Sequence, residues 1–183
     1  MTTPTQQTQA ALRARLTDGS LAGTWTLNPA QSTAALRSKS MWGLTSVKGV
    51  FRELEGSAMV SASGEITGGI ALPTGSLESK NSKRDAHLRS ADFFLSEKYP
   101  AITFSVATIV PAGEGVTVSG TLTVRDTSRP LSFPAAVTLT GDNEVVLDAT
   151  VQVDRSEFGL TWNKMGMVAM NNTITIHAVL TRS

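Results

Sequence analysis

Alternation of apolar and polar residues, sustained from Gly23 almost to the C-terminus, is the feature that most limits what this chain can become. In the stretch 116–125, Val116, Val118, Gly120, Leu122 and Val124 point one way, while Thr117, Ser119, Thr121, Thr123 and Arg125 point the other. That is the period of a strand with one buried face. It recurs in Leu131, Phe133, Ala135, Val137 and Leu139, and again in Val145, Leu147, Ala149, Val151 and Val153, with Gly141-Asp142-Asn143 as the turn between these two runs. Ile102, Phe104, Val106, Thr108 and Val110 read as a further inward face, and Ile174, Ile176, Ala178 and Leu180 as the last. Shorter strands are expected at Thr24 to Asn28, Thr33 to Ser40, Ser46 to Leu54, Ser57 to Ala62 and Glu65 to Leu72. Eight to ten antiparallel strands joined by short turns indicate a barrel or a sandwich, all-β with minor α.

Two segments break the alternation. From Thr3 to Thr17 the pattern suits a helix, with Thr3 as N-cap, Pro4 at the first helical position and Gly19 just past the end. Leu12 and Leu16 share one face, which fits a strap packed on the main domain, a mobile gate or a dimer contact. The second interruption, Ser79 to Lys98, has helical composition and is expected to cross one end of the sheet, with Phe93 and Phe94 needing apolar cover. The domain division is therefore an N-terminal helical extension, 1–20, and one β-domain, 21–183.

Composition closes off several functions. The net charge is +1, and no basic cluster interleaves with aromatic residues, so nucleic acid is not an expected partner. The absence of cysteine excludes disulfides, thiolate nucleophiles and Cys-based zinc sites. His87 and His177 stand in no metal-ligand spacing and no nucleophile elbow is present, so no catalytic residue, metal or cofactor is assigned. No stretch approaches the ~20 apolar residues that cross a bilayer. No basic start followed by an apolar run opens the chain, so the expected location is cytoplasmic, or periplasmic or secreted where a leader has been removed.

The interrupting segment carries more than helix composition. Asn81-Ser82-Lys83-Arg84-Asp85-Ala86-His87-Leu88-Arg89-Ser90-Ala91-Asp92-Phe93-Phe94, followed by Lys98-Tyr99-Pro100-Ala101-Ile102-Thr103-Phe104, resembles the signature of the YceI-like family. Trp25-Thr26-Leu27-Asn28-Pro29-Ala30-Gln31-Ser32, Val47-Lys48-Gly49-Val50-Phe51, Val118 to Val124 and Asp154 to Trp162 are similar to further blocks of that family, so the likeness runs from about Gly23 to the C-terminus. The resemblance implies an extended, lipocalin-like antiparallel barrel of about eight strands with a helix across one end. It also implies a long polyisoprenoid chain in the apolar interior, with an isoprenoid quinone or a polyprenyl pyrophosphate as the class of guest. The chain departs from the pattern where the family often has histidine, at Gln31 and within Ser38-Lys39-Ser40, and Asp126-Thr127 replaces a His-Gly turn.

The small inward residues Gly68, Gly120, Ala135, Ala149 and Ala178 are compatible with an unfilled barrel. Trp25, Phe51, Phe93, Phe94, Phe104, Leu122, Phe133, Phe158 and Trp162 are the expected walls of such a cavity, each equally suited to ordinary core. Met165, Met167 and Met170 lie in a Gly-containing segment expected to line, gate or plug one barrel end. Asn81, Arg84, His87 and Arg155 are the candidates for a polar head group, with a structural role for Arg84 and Asp85 weighed beside it. The sequence thus points to a carrier or store of a long apolar lipid and not to an enzyme. The competing readings are a lipid-processing enzyme and a filled interaction barrel; transient membrane contact and a homodimer stay open.

Overall fold

A computed structural model describes residues 4–183, with side chains from residue 9 onward. The N-cap expected at Thr3 lies outside the described residues. The elements are helix α1 (Pro4–Thr17), strands β1 (Gly23–Leu27), β2 (Thr33–Ser40), β3 (Thr45–Phe51), β4 (Glu55–Val60), β5 (Ile66–Pro73) and β6 (Leu77–Glu78), helix α2 (Ser82–Arg89), and strands β7 (Ala101–Ala112), β8 (Gly115–Val124), β9 (Thr127–Thr140), β10 (Glu144–Asp154) and β11 (Asn171–Arg182).

Eight strands form a closed antiparallel ring in the order β1-β4-β5-β7-β8-β9-β10-β11, and pairing of β1 with β11 shuts it. Alternation explains why the ring has an inside. Val116, Val118, Leu122 and Val124 of β8 are buried, while Thr121 faces outward and is exposed. Strand β11 carries two neighbours on one edge: Trp25↔Arg182 and Leu27↔Leu180 link it to β1, and Asn172↔Ser38 through His177↔Thr33 link it to β2. β2 then leads through β3 to β6, a second short sheet branching from the lower end of the ring. With its 12 residues, β11 spans roughly 30 Å at ~3.3 Å per residue and a tilt of ~40°.

A helix meets each end of the barrel. α1 lies over the turns of the upper end, where Gln9 donates to the Gly115 carbonyl at 2.8 Å and Arg15 donates to the Gly141 carbonyl at 2.9 Å. Leu12 and Leu16 are buried beneath it, and Gly19, at φ 79°, turns the chain toward β1. The helix expected across Ser79 to Lys98 is shorter, because extended backbone at Ser90 ends it and turns follow. Phe93 and Phe94 bury themselves in those turns.

One expected face is corrected. Thr108 and Val110 do not follow Val106 inward; a bulge shifts the β7–β8 register between Val106 and Thr108, and Ile109 points in instead. A single extra residue reverses every side chain beyond it, which leaves Val110 exposed. The bulge lies opposite Gly120, where a Cβ would meet the Ser105 carbonyl oxygen at 2.1 Å. Gly120→Ala is therefore expected to lower unfolding free energy by roughly 1 to 3 kcal/mol, the usual cost of forcing volume into packed structure. Gly75→Ala, whose Cβ would meet nothing within 4 Å, should leave the urea midpoint nearly unchanged.

Candidate functional site

The interior divides into two chambers that meet end to end. The upper one, about 240 Å³, is enclosed by the inward faces of the ring and by Leu12, Leu16 and Leu21 below α1. Its wall is hydrocarbon apart from Ser57 and backbone. Trp25, Phe104 and Phe133 line it, with Phe104 and Phe133 tilted together at 5.4 Å between ring centroids. Trp25 satisfies its indole by donating to the Leu21 carbonyl at 2.9 Å, so no polar edge faces the cavity unpaired.

The lower chamber, about 490 Å³, lies between β2, β3, α2 and the long connection from β10 to β11. Ile102, Leu122, Val153 and Ile174 border both chambers and mark the junction. Phe51, Phe93, Phe94, Phe158 and Trp162 belong to the lower wall. Four cations, Lys39, Lys83, Arg84 and Arg155, also line this chamber, and no carboxylate does. His87 packs edge-on between Trp162, at 4.4 Å, and Phe93, at 5.2 Å, while its Nε2 lies 2.9 Å from the Asp92 carboxylate.

Asn81, Arg84 and Asp85 form a clip that fixes α2 against β6. Asn81 caps the helix by accepting from the Arg84 backbone N–H at 3.0 Å. Buried Asp85 accepts from both the backbone N–H and the hydroxyl of Ser79. Arg84 donates to the Ser79 hydroxyl and carbonyl, each at 2.8 Å, so Arg84 and Asp85 are joined through Ser79 and not as a direct ion pair. Asn81 and Arg84 are thus partly committed to structure, although both also line the lower chamber.

Arg155 is the strongest case. Buried at the foot of β10, it donates to the carbonyls of Ala169 at 3.1 Å, Leu160 at 2.6 Å, Trp162 at 2.8 Å and Val168 at 3.3 Å. These bonds gather the connection between β10 and β11 around one guanidinium. Burial pushes its pKa below the usual value, an effect opposed by the neighbouring Asp154 charge, but the group stays protonated near neutrality. The Phe93 ring stacks 5.6 Å from its central carbon. Asp154 itself is held below the usual carboxylate range by the hydroxyl and backbone N–H of Ser156.

The methionines go elsewhere. Met165, Met167 and Met170 line neither chamber, and Met165 is 77% exposed with positive φ. Tertiary geometry aims that tip outward, which an apolar segment with a single glycine does not reveal. Lys39 and Lys83 were missed as chamber residues; for Lys39 the absence of acidic residues from Gly19 to Arg52 was the available signal, and Lys83, between Glu78 and Asp85, had none of that kind.

Replacing Arg155 with Met strands four carbonyls, and unfolding free energy is expected to fall by roughly 3 kcal/mol in urea titrations. Arg155→Lys should recover only part of that, because one ammonium cannot reproduce the planar fork. Exposed Arg129, which reaches a single carbonyl at 3.3 Å, should tolerate Ala within about 0.5 kcal/mol.

Known proteins share this fold. The family model for the YceI-like domain matches residues 25–181. Protein YceI of Escherichia coli is 32% identical over 74 residues, 40% of this chain and 39% of its own length. The chain thus spans about two fifths of that relative's length. The crystal structure of Burkholderia cenocepacia BcnA superposes with a TM-score of 0.76 at 22% identity, covering 84% of this chain and 98% of that one. A polyisoprenoid binding domain from Saccharophagus degradans, implicated in plant cell wall breakdown, superposes at 0.70 with 13% identity, over 87% and 98% of the two chains. The closed eight-stranded ring and the extent of the family match, from Trp25 to Thr181, make this chain a member of the YceI-like family.

Proposed function

We propose that the barrel binds one long-chain polyisoprenoid-type lipid, with its tail in the upper chamber and an anionic, pyrophosphate-type head in the lower one. One observation carries this reading: a hydrocarbon-walled chamber adjoins, at Ile102, Leu122, Val153 and Ile174, a chamber lined by four cations and no carboxylate. The likeness to the polyisoprenoid binding domain of Saccharophagus degradans supports the tail. Exposed Lys39 and Lys83 supply the charge for the head, since they lack carboxylate partners among the described residues. Arg155 adds a fixed positive charge whose donors are largely spent on carbonyls.

Energetics favour a carrier or store. Moving even ~25 hydrocarbon carbons from water at ~0.8 kcal/mol each would gain roughly 20 kcal/mol, already at the ~18 to 21 kcal/mol ceiling that non-covalent affinities reach. A bilayer already buries such a tail, so transfer from membrane to barrel is nearly balanced and reversible. The role proposed is binding: Arg84, Asp85 and Arg155 are spent on the helix clip and the β10–β11 connection, which leaves Lys39 and Lys83 to meet a guest.

Native mass spectrometry of protein purified from its own source is expected to show one long-chain apolar adduct per chain, released by organic extraction. Ala149→Phe, which fills the upper chamber, should abolish the adduct while preserving the β spectrum by circular dichroism. Lys39→Glu with Lys83→Glu should weaken a prenyl pyrophosphate by roughly tenfold or more. A bare chain mass in repeated preparations, together with no uptake of added prenyl lipid, overturns the reading.

A further inference from the structure

We propose that the lower end of the barrel carries a membrane-docking tip, built from residues 41–44 and 164–167, that seats the mouth of the lower chamber on an anionic phospholipid surface. It rests on the lipid-carrier reading and adds to it the surface from which the guest is taken.

Two connections meet at this end. The β2–β3 hairpin turns through Met41-Trp42-Gly43-Leu44, and the β10–β11 connection turns through Lys164-Met165-Gly166-Met167. They are tied together, since the Trp42 N–H donates to the Met167 carbonyl at 3.4 Å and the Ala169 N–H to the Lys39 carbonyl at 3.0 Å. Trp42 is 68% exposed, Leu44 82%, Met165 77% and Met41 48%. A tryptophan and three long aliphatic or thioether side chains therefore stand in water side by side, where a soluble surface usually places polar groups. Met41, Trp42 and Met165 also hold positive φ, at 50°, 54° and 55°. Non-glycine residues take that conformation at a cost, and here it projects side chains outward in place of burying them.

Charge complementarity selects the occupant. Arg37, Lys39 and Lys48 stand exposed along the outer face of the hairpin, and Lys164 begins the second loop. None has a carboxylate partner among the described residues. No Asp or Glu occurs between Gly19 and Arg52, nor from Phe158 to the C-terminus. Although the whole chain is nearly neutral, the tip is cationic around an apolar point. Tryptophan and long aliphatic groups partition into the headgroup boundary, and basic residues just behind them meet anionic lipid. The tip also adjoins the guest's doorway: Lys39, Ser40 and Val168 line the lower chamber on the same two connections.

The test uses the full-length protein and Trp42 as its own reporter, Trp25 being buried and Trp162 half-buried. Co-sedimentation with vesicles of phosphatidylcholine and phosphatidylglycerol in equal parts is expected, weakening roughly tenfold or more on pure phosphatidylcholine or at high salt. Brominated acyl chains should quench the emission, and Trp42→Phe should keep binding while losing most of that quenching. Trp42→Ala with Leu44→Ala should lose binding, and Lys48→Glu with Lys164→Glu should lose the preference for phosphatidylglycerol. All these positions are exposed, and circular dichroism reads whether each variant is folded. Vesicle binding that is absent, or unchanged in the Trp42→Ala, Leu44→Ala variant, overturns the proposal. So does a dimer, seen by sedimentation, that this variant dissociates while vesicles are ignored. Uptake of prenyl lipid delivered from ethanol separates the two readings: its failure beside intact vesicle binding removes the carrier role and leaves the tip, whereas normal uptake without vesicle binding does the reverse.

Discussion

Strand β11 is the element on which the architecture depends. Its edge away from β10 is shared end to end by β1 and β2, so the hydrogen-bonded wall closes as a ring above and branches below. Backbone donors and acceptors must be paired when water is excluded, and this division pairs them along the whole strand. Above the branch, closure yields an apolar cavity. Below it, the β2–β3–β6 sheet departs from the ring, and the gap it leaves is covered by α2 and the β10–β11 connection, both rich in polar contacts. The change from hydrocarbon to charged lining follows from where the ring divides.

The two ends are held by different physics. At the upper end α1 buries Leu12 and Leu16 and is fastened at its rim by side-chain bonds from Gln9 and Arg15, with Arg15 also 3.4 Å from exposed Asp142. An exposed ion pair adds little, so the leucines carry most of that seal. At the lower end order comes from hydrogen bonds to charged groups, the Arg155 guanidinium gathering carbonyls and the Asp85 carboxylate gathering Ser79. Such bonds are directional, which suits a region that must hold a shape around open space without filling it.

Much of this was legible in the sequence because period-two patterning is local. The runs at 116–124, 131–139 and 145–153 fix their own inward faces, and the segment from Asn81 to Phe104 carries the family likeness. What escaped depends on geometry between distant residues. The bulge after Val106 is invisible in a run of β-branched residues, and it turned Thr108 and Val110 outward. Arg155 reads as a free cation until its carbonyl partners, 5 to 14 residues onward, fold around it. The three methionines read as lining, gating or plugging a barrel end, since thioethers adapt to irregular space, yet the backbone turn at Met165 sends that side chain into solvent. Lys39 sits on the outward register of β2 and still reaches the chamber rim, a consequence of length that alternation does not encode.

The seal under α1 makes the barrel a cul-de-sac. A threadlike guest has one doorway for both arrival and departure, so it travels in single file and cannot be pushed through by the next. On the proposed carrier reading, the end that enters last would be the end that leaves first, and a head held among Lys39, Lys83 and Arg84 would remain at the threshold throughout. Cargo polarity would thereby be preserved across a round trip: a guest taken from a bilayer would return to it in the orientation in which it left, with no need to turn over inside the protein.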